Sequence, residues 1–311
     1  MLPIKIDLPS GFLDEQVRDG YLISHEMKEV WAVELDLLNE FKRVCDKNNI
    51  RWFGDAGTIL GAARHGGIIP WDDDIDVMML RDDYENFLKV ASDEFKYPYF
   101  LQTDKTDFYS LRGHAQLRNS QTTAILTSEK DLNATFNQGI FLDIFPIDRI
   151  PESEEVLRSK TDNILRLKCS MFDLMKIHFE SFPANKNNAF IIELARRLKY
   201  YLFTLPSVNK KIHKLYSQFE VEIINCDNPS AEHLAKLVLV PFKPRRLWKS
   251  AWFDTTTYLK FEMFQLPVPS GYEELLDTFY GNWREFVIGT ASHGQVFFDT
   301  HNSYTKYIGK R

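Results

Sequence analysis

The stretch IIPWDDDIDVMML, residues 68–80, sets Asp72, Asp73, Asp74 and Asp76 directly ahead of a run of apolar side chains. Like charges repel, and a carboxylate drawn into a buried setting needs a positive partner. The stretch therefore calls either for full solvation or for a cation. Its second half, Asp-Val-Met-Met-Leu, has the apolar density of a buried strand. Side chains two apart on a strand share a face, so Asp74 and Asp76 are expected to point together, with Cα atoms about 6.5–7 Å apart. That separation suits two carboxylates on one divalent cation or on a pair, and oxygen-only ligands favour Mg²⁺ or Mn²⁺.

Other readings of the acidic run compete. It can be a solvated turn in a chain with 44 acidic residues. An EF-hand calcium loop fits Asp72, Asp74 and Asp76, but its sixth position would be Val77, where the loop needs glycine. The D-x-D of a nucleotide-sugar glycosyltransferase also ends an apolar strand. A nucleotidyltransferase carries a Gly-Ser or Gly-Gly pair at a helix start before an Asp-x-Asp strand. Upstream, GDAGTILGAARHGG (54–67) separates the last two. Gly57-Thr58 opens a short helix that ends at Gly66-Gly67. Glycine lets a phosphate approach the backbone, and the helix N-terminus and the Thr58 hydroxyl can donate to it. An anion site beside a metal site is what a nucleotidyl- or phosphotransferase needs.

Working outward, residues 22–48 read as one amphipathic helix, with Met27, Val30, Trp31, Leu35, Leu38, Phe41 and Cys45 at spacings of three and four. IRWF (50–53) reads as a strand, RDDYENFLKVASDEF (81–95) as a helix, and HAQLR and TTAIL within 112–127 as paired strands. GIFLDIFPID (139–148) reads as a strand stopped by Pro146. It holds Asp143 between Phe141 and Phe145, a costly place for a carboxylate unless it is bound or protonated. Asp143 is therefore either a satisfied structural group, a further metal ligand, or a base for an acceptor hydroxyl. Asp148, after the proline, reads as the start of a turn.

From 151 the period becomes helical, with helices expected over 153–179, 187–205 and 207–224. After 235 short strands return, then a helix near 271–286. The chain divides into a core (1–150), a helical insertion (151–230) and a return to the core (231–311). With 311 residues and 44% hydrophobic content it can bury a large core. A net charge of -6 argues against a general nucleic-acid binder. Cys45, Cys169 and Cys226 lack metal or disulfide spacing and read as free thiols in a reducing compartment. No signal peptide or membrane-length apolar run is visible, so a cytoplasmic location is expected.

Four segments together carry a resemblance. DAGTILGAARHGGIIPWDDDIDVMML, QLRNSQTTAI, GIFLDIFPIDRI and LPVPSGYEELLDTFYGNW resemble, in the same order, the signature of the LicD family of bacterial phosphocholine and related phosphotransferases, of which the fukutins are more distant relatives. The likeness spans about residues 25–285 and is weakest in the helical insertion. The first 20 residues and the tail after 290 carry no match.

The resemblance implies an α+β, nucleotidyltransferase-like fold: a mixed β-sheet core flanked by helices, with the helical insertion as a subdomain. It implies transfer of a phospho-alcohol group, such as phosphocholine, from a CDP-activated donor to a hydroxyl of a surface glycan, with release of CMP and assistance from Mg²⁺ (or Mn²⁺). Mapped onto this chain, Asp74, Asp76 and Asp143 are catalytic. These three with Asp72 hold the metal, and Gly57, Thr58, Arg64 and Arg118 bind the donor's phosphates. Gln116 stands where many members carry a basic residue. A glycan or lipid-linked glycan is the expected acceptor. Lys186, Arg196, Arg197, Lys199, Lys210, Lys211 and Lys214 give the insertion a local basic bias, which is either the solvated face of an ordinary core-packing helix or a surface for an anionic membrane at its inner face or for a lipid-linked or anionic glycan. If the transferred alcohol is choline, Trp52, Trp71, Tyr280 and Trp283 are the aromatic residues near the motifs that can face its cation. Transfer of a nucleoside monophosphate to a small acceptor, and a non-catalytic cation-binding module, are the rival functions.

Overall fold

The period-two and helical patterns of the first 150 residues are realised as a mixed sheet with helices laid on it. The structure, a computed structural model, describes residues 1–107, 109–127, 136–179, 206–226, 230–239, 247–289 and 295–308. A hairpin of β1 (Gln16–Arg18) and β2 (Tyr21–Ile23) leads into α1 (His25–Lys47). The Ser24 hydroxyl accepts from the Met27 amide at 3.3 Å and so starts α1 three residues later than its periodicity suggests. Next come β3 (Phe53–Gly54), α2 (Ala56–His65), β4 (Asp76–Leu80) and α3 (Arg81–Glu94). Then follow β5 (Tyr99–Gln102), β6 (Ala115–Asn119), β7 (Thr123–Leu126) and β8 (Ile140–Arg149). The described helical stretches after them are α4 (Glu154–Phe179) and α5 (Pro206–Ile224). The helix expected over 187–205 lies outside the described residues, as do Lys186, Arg196, Arg197 and Lys199. Lys210, Lys211 and Lys214 are exposed on α5.

The return consists of β9 (His233–Ala235), β10 (Trp248–Lys249), the hairpin β11 (Thr256–Phe261) and β12 (Phe264–Pro269), α6 (Tyr272–Tyr280), and β13 (Val296–Asp299). The class is α+β. Among the described residues the main sheet has seven strands. β4 and β8 pair in parallel at its centre, with β3 antiparallel on β4. The free edge of β8 takes β6 along Ile140–Ile144 and β9 along Asp148–Arg149, both antiparallel. Among the described residues no helix is long and apolar enough to cross a membrane.

Several details depart from the sequence reading. β6 and β7 do not pair with each other: β6 joins β5 and β8, and β7 joins β13 from the C-terminal tail. Pro146 does not stop β8. The Asp143 amide donates to Ile75 O on the β4 side, so by strand alternation residue 146 faces the opposite edge. There it falls in the gap between the β6 and β9 pairings, where no ladder hydrogen bond is needed. The helix expected near 271–286 ends at Tyr280, before Gly281 at φ 67°.

Asp148 starts no turn. It is fully buried in β8, with Arg81 Nε donating to its Oδ1 at 2.7 Å. A buried charge that loses its partner typically costs about 3–5 kcal/mol. Asp148→Ala is expected to lower the unfolding free energy by about that amount, read from urea denaturation. The double variant Arg81→Met/Asp148→Leu is expected to recover most of the loss.

Candidate active site

The sheet's register builds the site. Asp76 is the first residue of β4, and in the parallel pairing it lies directly beside Asp143 of β8. Asp74 precedes the strand, so it does not share a strand face with Asp76 as the alternation argument required. Asp72, Asp73 and Asp74 instead form a compact turn of half-buried carboxylates, each offering an oxygen within 4.8 Å of the others. Asp73, which the mapped metal set leaves out, belongs to that group. Burial, reinforced by Asp74, Asp143, Asp72 and Glu34, raises the Asp76 pKa well above the usual carboxylate range. This is a concentration of negative charge that a cation would relieve.

A polar row continues across the sheet from this pair. Asp143 stands opposite Gln116 of β6, and Gln116 opposite Gln102 of β5. Gln116 Nε2 donates to Asp143 Oδ1 at 2.5 Å, and His114 Nε2 lies 3.0 Å from the same oxygen. Burial pushes the Asp143 pKa up, but His114, Gln116 and Arg112 outweigh it and hold the group below its ordinary value. A carboxylate of lowered pKa is a poor base and a good ligand or hydrogen-bond acceptor.

Arg118 takes a different place from the expected one. It is 2% exposed, and its nitrogens donate to Gln102 Oε1 at 2.5 Å, Gly139 O at 2.7 Å and Gln116 Oε1 at 2.6 Å. Its guanidinium is committed to protein oxygens rather than presented to a donor. It orients the Gln116 amide, whose nitrogen then meets Asp143. Gln116 is thus the link between a buried cation and the site acid.

Helix α2 starts beside the acids. Its first residue, Ala56, sits at φ 37°, a strained value for a residue with a Cβ. A Cβ at Gly57 would lie 2.9 Å from Asp72 Oδ2. Glycine therefore keeps room for the acid against the helix start. Thr58 is buried, and its hydroxyl accepts from the Asp76 amide at 2.9 Å. It anchors the β4 start rather than standing open to a phosphate. Asp55, at the N-cap, does not cap α2 with its side chain. It pairs with buried Lys236, whose ammonium sits 4.6 Å from the Phe145 ring centre. Arg64, seven residues on from Gly57 and on the same helix face, stacks 4.2 Å over Phe286, and its Nε and Nη2 are buried without a hydrogen-bond partner.

Several participants carried no readable sequence signal. The N-terminal hairpin folds onto the site: Arg18 Nη1 donates to Ile68 O and to Glu262 Oε1, and Asp19 meets His65 Nδ1 at 2.5 Å. Lys236 and Glu34 reach the site from distant segments. Of the aromatic candidates, Trp71 adjoins Asp72, with the Tyr21 and His65 rings each 6.0 Å away. Trp52 packs on Phe41 in the core, Trp283 is buried under Arg284, and Tyr280 ends α6 beside Phe279.

An all-carboxylate donor set suits a hard divalent cation. Gly57→Ala forces only the Asp72 side chain to move, so stability is expected to stay within about 1 kcal/mol of wild type. Its Mn²⁺ affinity, read by calorimetric titration, is expected to fall markedly. Arg118→Ala leaves three buried acceptors without donors and is expected to lose about 3–5 kcal/mol in urea denaturation.

Residues 49–185 match the family model described as LicD/FKTN/FKRP, nucleotidyltransferase domain. A Haemophilus influenzae protein described as lipopolysaccharide cholinephosphotransferase LicD is 28% identical over 264 residues, covering 83% of this chain and 91% of its own. An uncharacterized protein of Rickettsia prowazekii is 31% identical over 140 residues, 45% of this chain and 46% of its own. A second uncharacterized protein, from Rickettsia typhi, is 36% identical over 73 residues, 23% of this chain and 24% of its own. The matched domain contains the acid turn, the start of α2 and the β4–β8 pair, so residues 49–185 carry the LicD/FKTN/FKRP nucleotidyltransferase domain, and the likeness to the Haemophilus influenzae LicD runs along most of the chain.

Proposed function

We propose that the protein is a divalent-cation-dependent phosphotransferase. It moves a phospho-alcohol group, phosphocholine or a close analogue, from a CDP-activated donor to a glycan hydroxyl and releases CMP. The observation that carries the reading is the placing of Asp76 beside Asp143 on adjacent parallel strands, with the Asp72–Asp74 turn and the glycine-lined start of α2 next to them. The Haemophilus influenzae relative, described as a lipopolysaccharide cholinephosphotransferase, supports the choice of phosphocholine and of a lipopolysaccharide-type acceptor.

Asp72, Asp74, Asp76 and Asp143 are the residues that would hold Mg²⁺ or Mn²⁺, and Asp73 adds to them through its grouping with Asp72 and Asp74. When bound, the cation supplies charge neutralisation at the non-bridging phosphate oxygens. Gly57 keeps room for the Asp72 carboxylate at the α2 start, so a cation held by the acids would bring the donor diphosphate beside a helix N-terminus whose dipole favours negative charge. Arg64, with two buried N–H groups lacking acceptors, is suited to a substrate phosphate. Asp143, held ionised by His114 and Gln116, receives and orients the acceptor hydroxyl. A loose phosphoryl-transfer transition state asks for positioning and charge stabilisation more than for a strong base.

The test is incubation of the purified full chain with Mg²⁺ or Mn²⁺, a panel of CDP-alcohols and a lipopolysaccharide acceptor. CMP release with a phospho-alcohol on the glycan is the expected outcome. Pyrophosphate release from a nucleoside triphosphate would instead support nucleotidyl transfer. Asp74→Asn and Asp76→Asn are expected to lower kcat by about 10³-fold or more, with unchanged circular dichroism. Arg64→Ala is expected to raise the donor KM by about tenfold, the worth of a charge-assisted hydrogen bond, at little cost in stability.

A further inference from the structure

Helix α1 is apolar along its buried side, with Val30, Val33, Leu35, Leu37 and Leu38 all at 3% exposure or less. Glu34 interrupts that side and is itself 1% exposed. The other buried polar groups of α1 are satisfied. Asp36 accepts from the Lys5 and Ile6 amides and from the Tyr99 hydroxyl, and Lys28 donates to Gln16. Glu34 differs: its Oε2 is buried with no hydrogen-bond partner. A carboxylate in that state is strongly disfavoured unless it is neutral or bound to a cation.

The position of Glu34 says which cation. Trp31, one turn earlier on the same helix face, donates its indole N–H to the Asp72 carbonyl at 3.0 Å. The face of α1 that clasps the acid turn through Trp31 therefore also presents Glu34 to it. Apart from burial, the charges that act most on Glu34 are Asp74, Asp73, Asp72 and Asp143, all negative, and its pKa is raised well above the carboxylate range. A leucine would fill this place in an ordinary core at no electrostatic cost.

We propose that Glu34 is a further ligand of the divalent cation that Asp72, Asp73 and Asp74 would hold; it lies outside their 4.8 Å group of oxygens, so it would close on the ion from the α1 side as the ion binds. The inference rests on the cation-dependence proposed above and extends it to a helix outside the matched domain. It makes α1 sensitive to cation binding through two neighbouring side chains, Trp31 at the backbone of the acid turn and Glu34 at the ion.

The test is a Mn²⁺ titration followed by electron paramagnetic resonance of the free ion, on the full chain, without substrate. Glu34→Gln and Glu34→Met are compared with wild type and with Asp74→Asn, with far-UV circular dichroism and cation-free melting as folding controls. The Met variant, apolar and of similar length, suits a buried site if the Gln variant does not fold. The expected result is that both Glu34 variants stay folded and bind Mn²⁺ about tenfold or more weaker than wild type. Folded Glu34 variants with affinity within about twofold of wild type, while Asp74→Asn has lost binding, would overturn the inference alone and make Glu34 a neutral structural acid. Absence of Mn²⁺ binding by wild type would overturn the cation reading of the site and this inference with it.

Discussion

Parallel pairing of β4 with β8 puts two carboxylates side by side at the centre of the sheet, and much of the surrounding structure answers that repulsion. Asp143 is met from one edge by Gln116 and His114, and Gln116 is itself held by the buried guanidinium of Arg118. Asp76 has no such relief. Its amide is anchored to the Thr58 hydroxyl, while burial and the charges of Asp74, Asp143, Asp72 and Glu34 raise its pKa. The asymmetry divides the labour. Asp143 is held ionised by protein donors, whereas burial and the neighbouring acids raise the Asp76 pKa, a repulsion that a cation would relieve.

The peripheral segments serve the same centre. The first residues are tied to α1 through Asp36 and to β6 through Asn119, whose amide donates to Pro3 O at 2.8 Å. The β1–β2 hairpin supplies Arg18 to the loop between α2 and β4 and Asp19 to His65 at the end of α2. From the other end, β13 pairs with β7, and Glu262 in the β11–β12 turn accepts from Ile68 N at 3.0 Å. The loop that carries the acid turn is therefore braced from both ends of the chain. That bracing holds like charges in one place against their mutual repulsion.

Much of the site was legible because its residues are close in sequence and chemically unusual. Four acids in five positions, a Gly-Thr helix start a short distance before them, and an Asp between two phenylalanines are each rare enough to read directly. What failed failed for stated reasons. Asp74 was placed on the strand because alternation cannot show where a strand begins. Arg118 was assigned to the donor because an arginine near a motif looks the same whether its partners are phosphates or glutamines. Pro146 reads as a stop in the sequence because its tolerance depends on which edge of β8 is unpaired at that residue. Glu34 was invisible, since in an amphipathic helix one more glutamate reads as part of the solvated face.

The amino-acid sequence by itself determined the α+β class, the order of most elements, and a carboxylate cluster adjoining a glycine-opened helix. These follow from local periodicity, turn chemistry and charge density, which act over a few residues. Only the tertiary structure decided which acids meet, that Arg118 and Thr58 are spent on holding the site, and that Glu34 and Lys236 reach it from distant segments. Those outcomes depend on strand register and on which helix face is buried, and both are fixed by packing between segments far apart in the chain.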